Sequence, residues 1–182
     1  LINIDQNPLD LFNKWFEEAR SKESSDYNAM NLATISDENK PSSRIVLLKS
    51  YSEKGFIFYT NKNSKKGTSI SFNPNVALNF YWKSIQKQVR IEGIASIIND
   101  KESDEYFFSR SKGSQIGAWA SKQSSTLETR KELNLKVKEY EERFNNEKMT
   151  RPIFWVGYTV VPNLIEFWNK KSDRLHDRAE YI

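Results

Sequence analysis

Between residues 29 and 98 the chain carries a close succession of short segments rich in β-branched and aromatic residues: 29–35, 44–51, 56–60, 76–82 and 89–98. Turn chemistry separates them at Asp37-Glu38-Asn39, Glu53-Lys54-Gly55 and Asn73-Pro74-Asn75. A parallel pair needs a crossover of a dozen or more residues, and the first three segments leave no room for one. They predict antiparallel hairpins. A short helix fits between 64 and 72, and three further strand segments, 154–161, 164–168 and 174–181, close the chain. Helices frame this β framework. Asn7-Pro8 is an N-cap followed by a first-turn proline, and Leu11, Phe12, Trp15, Phe16 and Ala19 then recur at helical spacing, giving a helix at about 8–22. Asp100 is expected to cap a helix over 101–110, a second helical segment carries Ser114 to Trp119, and 126–145 is the longest pattern. Leu127, Leu133, Val137, Tyr140 and Phe144 form its sparse apolar side. With no repeat, low-complexity tract or linker, the expectation is one mainly antiparallel β domain over 1–182 with flanking helices.

Composition removes several chemistries. The chain has no cysteine, which excludes disulfides, thiolate metal sites and cysteine nucleophiles, and its one histidine, His176, excludes a multi-histidine metal centre within one chain. A net charge of +4 permits an anionic ligand without demanding nucleic acid. Mean hydropathy is −0.74, and no apolar run approaches the ~20 residues of a membrane span. The opening Leu1-Ile2-Asn3-Ile4-Asp5 lacks the features of a signal peptide, so the cytoplasm is the expected compartment. The chain begins without Met and ends abruptly at Tyr181-Ile182, which reads as a trimmed segment.

No glycine-rich loop follows a strand and no serine sits in a nucleophile elbow, so phosphate loops, dinucleotide fingerprints and a serine triad carry little weight. The positive signal is convergent basic groups. If 174–181 is a strand, Arg174, His176 and Arg178 share one face, and such a set needs an anion or acidic neighbours. Tyr106 and Arg110 are four apart, hence on one helical face, a pair suited to a phosphate. Arg44 and Lys49 bracket four aliphatics and fall on opposite faces of an ideal strand, unless a bulge intervenes. Lys65 and Lys66 open a short helix, where an anion is favoured. These positions suit two anionic ligands or one large one, and spacing does not choose between them. Solvated surface pairs explain each cluster taken alone.

The motifs together resemble the pyridoxine/pyridoxamine 5′-phosphate oxidase family. Arg44-Ile45-Val46-Leu47-Leu48-Lys49, then Phe58-Tyr59-Thr60-Asn61 and Ser64-Lys65-Lys66, look like its first signature. The block from Ser114-Gln115-Ile116-Gly117 through Ala118-Trp119-Ala120-Ser121 to Lys122-Gln123-Ser124-Ser125 is specific to it, as are Ile165-Glu166-Phe167-Trp168 and Arg174-Leu175-His176-Asp177-Arg178. The likeness runs from the first helix to Tyr181. It implies an antiparallel split β-barrel working as a homodimer, with FMN at the subunit interface. By resemblance, Arg44, Ile45, Val46, Leu47, Leu48, Lys49, Tyr59, Thr60, Lys65, Lys66, Gln88, Gln123, Ser124, Trp168 and Arg178 bind FMN. Lys49, Tyr106, Arg110 and Ser114 hold the substrate phosphate, and Arg174, Leu175 and His176 face its ring, with Arg174 and His176 as the catalytic candidates. The implied reaction oxidises C4′ of pyridoxine or pyridoxamine 5′-phosphate to pyridoxal 5′-phosphate, with O₂ as electron acceptor and H₂O₂ as product. No metal, membrane or nucleic acid is implied. Two departures stand out: Lys65 replaces a common arginine and loses its bidentate fork, and a closing Trp-containing strand with an Arg-Leu-x-Pro segment is absent. The rival readings are another split-barrel flavoprotein, such as a flavin reductase-like protein, and, more remotely, a basic nucleic-acid binder.

Overall fold

A computed structural model describes residues 1–182. In chain order the elements are α1 (Pro8–Lys22), β1 (Ala29–Ile35), β2 (Pro41–Leu47), β3 (Ser50–Ser52), β4 (Gly55–Asn61), α2 (Lys65–Phe72), β5 (Asn75–Trp82) and β6 (Lys87–Ile97). Then come α3 (Asp100–Ser109), α4 (Lys112–Ala120), α5 (Arg130–Asn146), β7 (Trp155–Asn169), a 3₁₀ turn (Ser172–Arg174) and β8 (Asp177–Tyr181). The strands form one sheet in the order β2-β1-β5-β6-β7-β4-β3, with β8 also paired to β7. The pairs β1–β2, β1–β5, β3–β4, β5–β6 and β7–β8 are antiparallel. The mainly antiparallel β class with helices is therefore the one the turn spacing implied. No helix is long and apolar enough to cross a membrane.

The chain forms two compact units: residues 1–58, 69–96 and 159–182 make the first, and residues 59–68 and 97–158 the second. The core of the first is aromatic. Asn7 Oδ1 accepts from the Leu9 N–H at 2.8 Å and starts α1, which buries Leu11, Phe12, Trp15, Phe16 and Ala19. Phe12 meets Tyr51, Phe56 and Phe80 edge-on, with ring centroids 4.8–5.4 Å apart. Rings in this geometry add about 0.5–1.5 kcal/mol per pair beyond their burial.

Several boundaries differ from the sequence expectations. Asn99, not Asp100, caps α3: its Oδ1 accepts from the Glu102 N–H at 2.9 Å and its Nδ2 donates to Glu102 Oε1 at 2.6 Å. Asp100 is left to pair with Arg151. Helix α5 starts at Arg130 because Thr129 Oγ1 accepts from the Glu132 N–H, so Leu127 lies ahead of the helix. The segment 44–51 is broken at Leu48-Lys49, where the N–H groups turn to Asn28 O and Ile57 O. The two strands expected over 154–168 are one continuous β7 passing through Pro162. Gly93 of β6 permits this: a Cβ there would stand 2.2 Å from Val161 O and 3.0 Å from Pro162 Cα.

An ion pair ties α1 to β6. Lys87 Nζ bonds Glu18 Oε2 and lies 4.8 Å from the Trp15 ring centre. The Lys87 hydrogen bond holds the Glu18 carboxyl below its usual value near 4.5, against the opposing effect of burial. A carboxyl depressed in the folded state contributes stability above its unfolded value and loses it as pH falls through the folded one. Glu18→Gln is expected to lower unfolding free energy by about 1 kcal/mol at neutral pH. In urea melts the difference from the parent should shrink below pH 4.5; a difference constant down to acid pH would contradict the assignment.

Candidate active site

In the second unit, β4 ends at Tyr59-Thr60-Asn61 and the chain turns through Ser64 into α2. Ser64 Oγ donates to Asn61 O at 2.6 Å and accepts from the Gly67 N–H at 3.4 Å, which fixes the first helical turn. Only glycine fits at 67, because a Cβ would sit 2.2 Å from Lys62 O. Lys66 is thereby buried, at 8% exposure, while Lys65 is exposed. Lys66 Nζ donates to Thr60 Oγ1 (3.3 Å), Ser64 Oγ (3.2 Å) and Gln123 Oε1 (3.1 Å). Thr60 Oγ1 also donates to Gln123 Oε1 at 3.1 Å. Three expected cofactor residues, Thr60, Lys66 and Gln123, thus form one hydrogen-bonded group. Ser124 follows in the left-handed region at φ 69°. Each of these is a charge-assisted bond from an ammonium to a neutral oxygen, and a phosphate oxygen within reach of Nζ would meet opposite charge.

The same unit holds an aromatic stack. Tyr59 lies on Tyr106 at 4.1 Å and on Trp155 at 5.1 Å, with interplanar angles of 17° and 11°. Arg110 is near enough to Tyr106 to interact with it electrostatically, but is not itself a helical residue. It is the extended C-cap, one residue past the helix end. Its guanidinium carbon lies 4.8 Å from the Trp155 ring centre, and Gln115 Nε2 fixes its backbone by donating to Arg110 O at 2.7 Å. Arg110 Nη1 is buried and has no hydrogen-bond partner, and burial lowers the pKa of this guanidinium. Burial, reinforced by Glu102, Tyr106 and Glu105, pushes the Tyr59 hydroxyl up to about 12, so it stays protonated and able to donate at neutral pH. Ser114, exposed on α4, bonds to Ser111 Oγ at 2.9 Å.

In the first unit, Arg44 projects from β2 onto its own sheet. Nη1 donates to Leu32 O, Thr34 Oγ1 and Ser42 O, and Nη2 to Ser42 Oγ at 2.6 Å. Ile45 is exposed, Val46 and Leu47 are half-buried, Leu48 is buried and Lys49 is exposed. Gln88 is half-buried on β6. Trp168 of β7 faces Arg178 of β8 in register. The His176 ring meets Trp168 edge-on at 4.7 Å.

The segment 174–176 is not strand. Asp173 and Arg174 both adopt left-handed backbone, at φ 56° and 60°, and β8 begins only at Asp177. The one-face alternation expected for Arg174, His176 and Arg178 therefore fails at its first two members. The turn closes through Leu175 N–H to Ser172 O and through Lys171 N–H to His176 Nδ1, both 3.1 Å. Because Nδ1 accepts, a neutral His176 ring carries its proton on Nε2 and can donate outward. Arg174 and Leu175 are exposed.

Sequence reasoning gave no role to several residues that organise these groups. Arg151 pairs with Asp100 and Asp104 of α3 and donates from Nη1 to Trp155 O at 2.6 Å, tying α3 to the start of β7. Glu166 is the buried carboxylate of the first unit, with Arg90 Nη1 and Arg178 Nη1 each at 3.4 Å. The available signal for Glu166 was a charge between Ile165 and Phe167 in an otherwise apolar run. Trp155 reads as ordinary strand filling.

Residues 16–144 match the family described as pyridoxamine 5′-phosphate oxidase. Residues 155–182 match a pyridoxine 5′-phosphate oxidase C-terminal dimerisation region. A pyridoxine/pyridoxamine 5′-phosphate oxidase from Rubrobacter xylanophilus is 49% identical over 97% of this chain and 82% of its own. One from Nostoc sp. is 43% identical over 99% and 84%. Among solved structures, PhzG from Burkholderia lata, in complex with tetrahydrophenazine-1-carboxylic acid, has a TM-score of 0.90 at 31% identity, covering 96% of this chain and 86% of that one.

Proposed function

Because this chain belongs to the pyridoxine/pyridoxamine 5′-phosphate oxidase family, we propose that it binds FMN and oxidises pyridoxine or pyridoxamine 5′-phosphate to pyridoxal 5′-phosphate, with O₂ as acceptor and H₂O₂ as product. The observation that carries this reading is a pair of anion-receiving groups in the second unit: Lys66 on Thr60, Ser64 and Gln123, and Arg110 with its buried, unbonded Nη1. An FMN-dependent oxidation of a phosphate ester needs two such groups.

The residues present fit FMN. Lys66, with Lys65 and Arg44, would hold its phosphate, and Gln123 and Ser124 would meet it through side chains and backbone. The segment Ile45 to Leu48, with Tyr59, Thr60, Gln88, Trp168 and Arg178, would line the rest of the cofactor. FMN supplies a two-electron acceptor that O₂ can reoxidise. The chain's own groups bind, orient and donate. Lys49, Tyr106, Arg110 and Ser114 receive the vitamer's phosphate, so that binding energy far from C4′ orients the reacting carbon. Arg174, Leu175 and His176 face the ring, with His176 Nε2–H donating to it. The C-terminal dimerisation match supports a homodimer; that FMN lies at its interface is what the family resemblance implies.

The test is direct. Purified chain loaded with FMN and given pyridoxine 5′-phosphate in air should yield pyridoxal 5′-phosphate and H₂O₂ in equal amounts. A yellow, FMN-loaded protein that forms neither would instead favour a flavoprotein with another electron partner.

A further inference from the structure

Trp155 is 7% exposed, at the first position of β7, with no polar function in the fold beyond its backbone. Its ring nevertheless serves four neighbours. Tyr59 and Tyr106 stack nearly parallel to it, at 5.1 and 6.1 Å and 11° and 8°. Phe107 meets it edge-on at 5.2 Å. Arg110 lies over it at 4.8 Å. A guanidinium over an indole face is attracted by the ring quadrupole, more strongly where water is excluded. Arg110 is in that situation: burial lowers its pKa and one of its nitrogens has no bond partner. Packing against Trp155 therefore accounts for its side-chain orientation better than hydrogen bonding does.

The platform is itself anchored. Arg151, 8% exposed, donates to the Trp155 carbonyl while its other nitrogens pair with Asp100 and Asp104 on the helix that carries Tyr106. Gln115 holds the Arg110 carbonyl. Ring, helix and cap are thus fixed to one another within the second unit, and the one loose element is the Arg110 side chain, which the indole face restrains.

We infer that Trp155 is a positioning residue for the substrate phosphate: its indole face holds the Arg110 guanidinium pre-aimed, with Nη1 left without a hydrogen-bond partner in the fold, and so sets affinity for phosphorylated vitamers without touching them. This rests on the proposed reading of Arg110 as a phosphate ligand.

The experiment measures pyridoxal 5′-phosphate binding to the full chain by the ligand's own absorbance, without turnover, in the parent, Trp155→Phe, Trp155→Leu, Arg110→Gln and the Trp155→Leu/Arg110→Gln double variant. Thermal melts of each accompany the titrations. Trp155→Leu is expected to weaken binding on the order of tenfold, the loss of one partly desolvated cation–π contact. Trp155→Phe, which keeps an aromatic face, should restore most of it. In the Arg110→Gln background the leucine variant should add no further loss, whatever it does to the melting temperature. A tenfold loss that persists undiminished in that background, or equal losses for Phe and Leu, would overturn the inference and leave Trp155 a packing residue. Parent affinity unchanged by Arg110→Gln would overturn the reading of Arg110 itself, and the inference with it.

Discussion

Arg174→Ala is expected to lower turnover about 100-fold or more while leaving FMN affinity unchanged, the loss that follows when a substrate-orienting group is removed from a bound pair. Position explains the split. Arg174 stands on a turn whose two left-handed residues, Asp173 and Arg174, each cost of order 1–3 kcal/mol and persist only because the surroundings fix them. The Leu175 N–H to Ser172 O and Lys171 N–H to His176 Nδ1 bonds supply that fixing through the backbone and the histidine, not through the arginine head. Truncating Arg174 therefore keeps the turn and removes only an exposed guanidinium. Arg174→Lys should recover part of the rate, since charge survives and the fork does not. Steady-state rates beside a flavin fluorescence titration check both halves, and matched losses of rate and FMN affinity would contradict the role.

The second large effect is on the cofactor. Lys66→Met is expected to weaken FMN binding about 10–100-fold, the loss of one or two charge-assisted hydrogen bonds of about 1.5 kcal/mol or more each. Methionine keeps the length and apolar stem in a site that is 8% exposed, so folding should survive where a charge is deleted. Thr60, Ser64 and Gln123 would remain as neutral groups around the vacated position. Flavin release on gel filtration, with a titration of the stripped protein, reads this result. Unchanged FMN affinity would remove Lys66 from the phosphate site.

The β framework was legible because its signals are local. Turn residues at 37–39 and 53–55 bound hairpins whose register the structure shows, and the α1 stripe from Leu11 to Ala19 is the buried face. What misled were local signals that the folded backbone overrode. Two strand segments were expected over 154–168, but β7 runs on through Pro162, where Gly93 leaves room for the close approach. The alternation from Arg174 to Arg178 looked like strand, but the backbone there is left-handed and His176 is bonded to the Lys171 N–H. The site divided in the same way. Lys66 and Gln123 are 57 residues apart and no spacing rule joins them, yet the Ser64 turn and Gly67 bring them to 3.1 Å. The family motifs named both. Trp155 and Arg151 escaped notice because their roles depend on what folds against them.

Under anaerobic conditions, adding pyridoxamine 5′-phosphate to the FMN-loaded chain should bleach the oxidised flavin band, and admitting O₂ should restore it with release of peroxide. Pyridoxamine lacking the phosphate should bleach it far more slowly, because Arg110 and its neighbours would have nothing to hold. A flavin band that neither vitamer alters would show that this chain does not align a phosphorylated vitamer for oxidation by bound FMN.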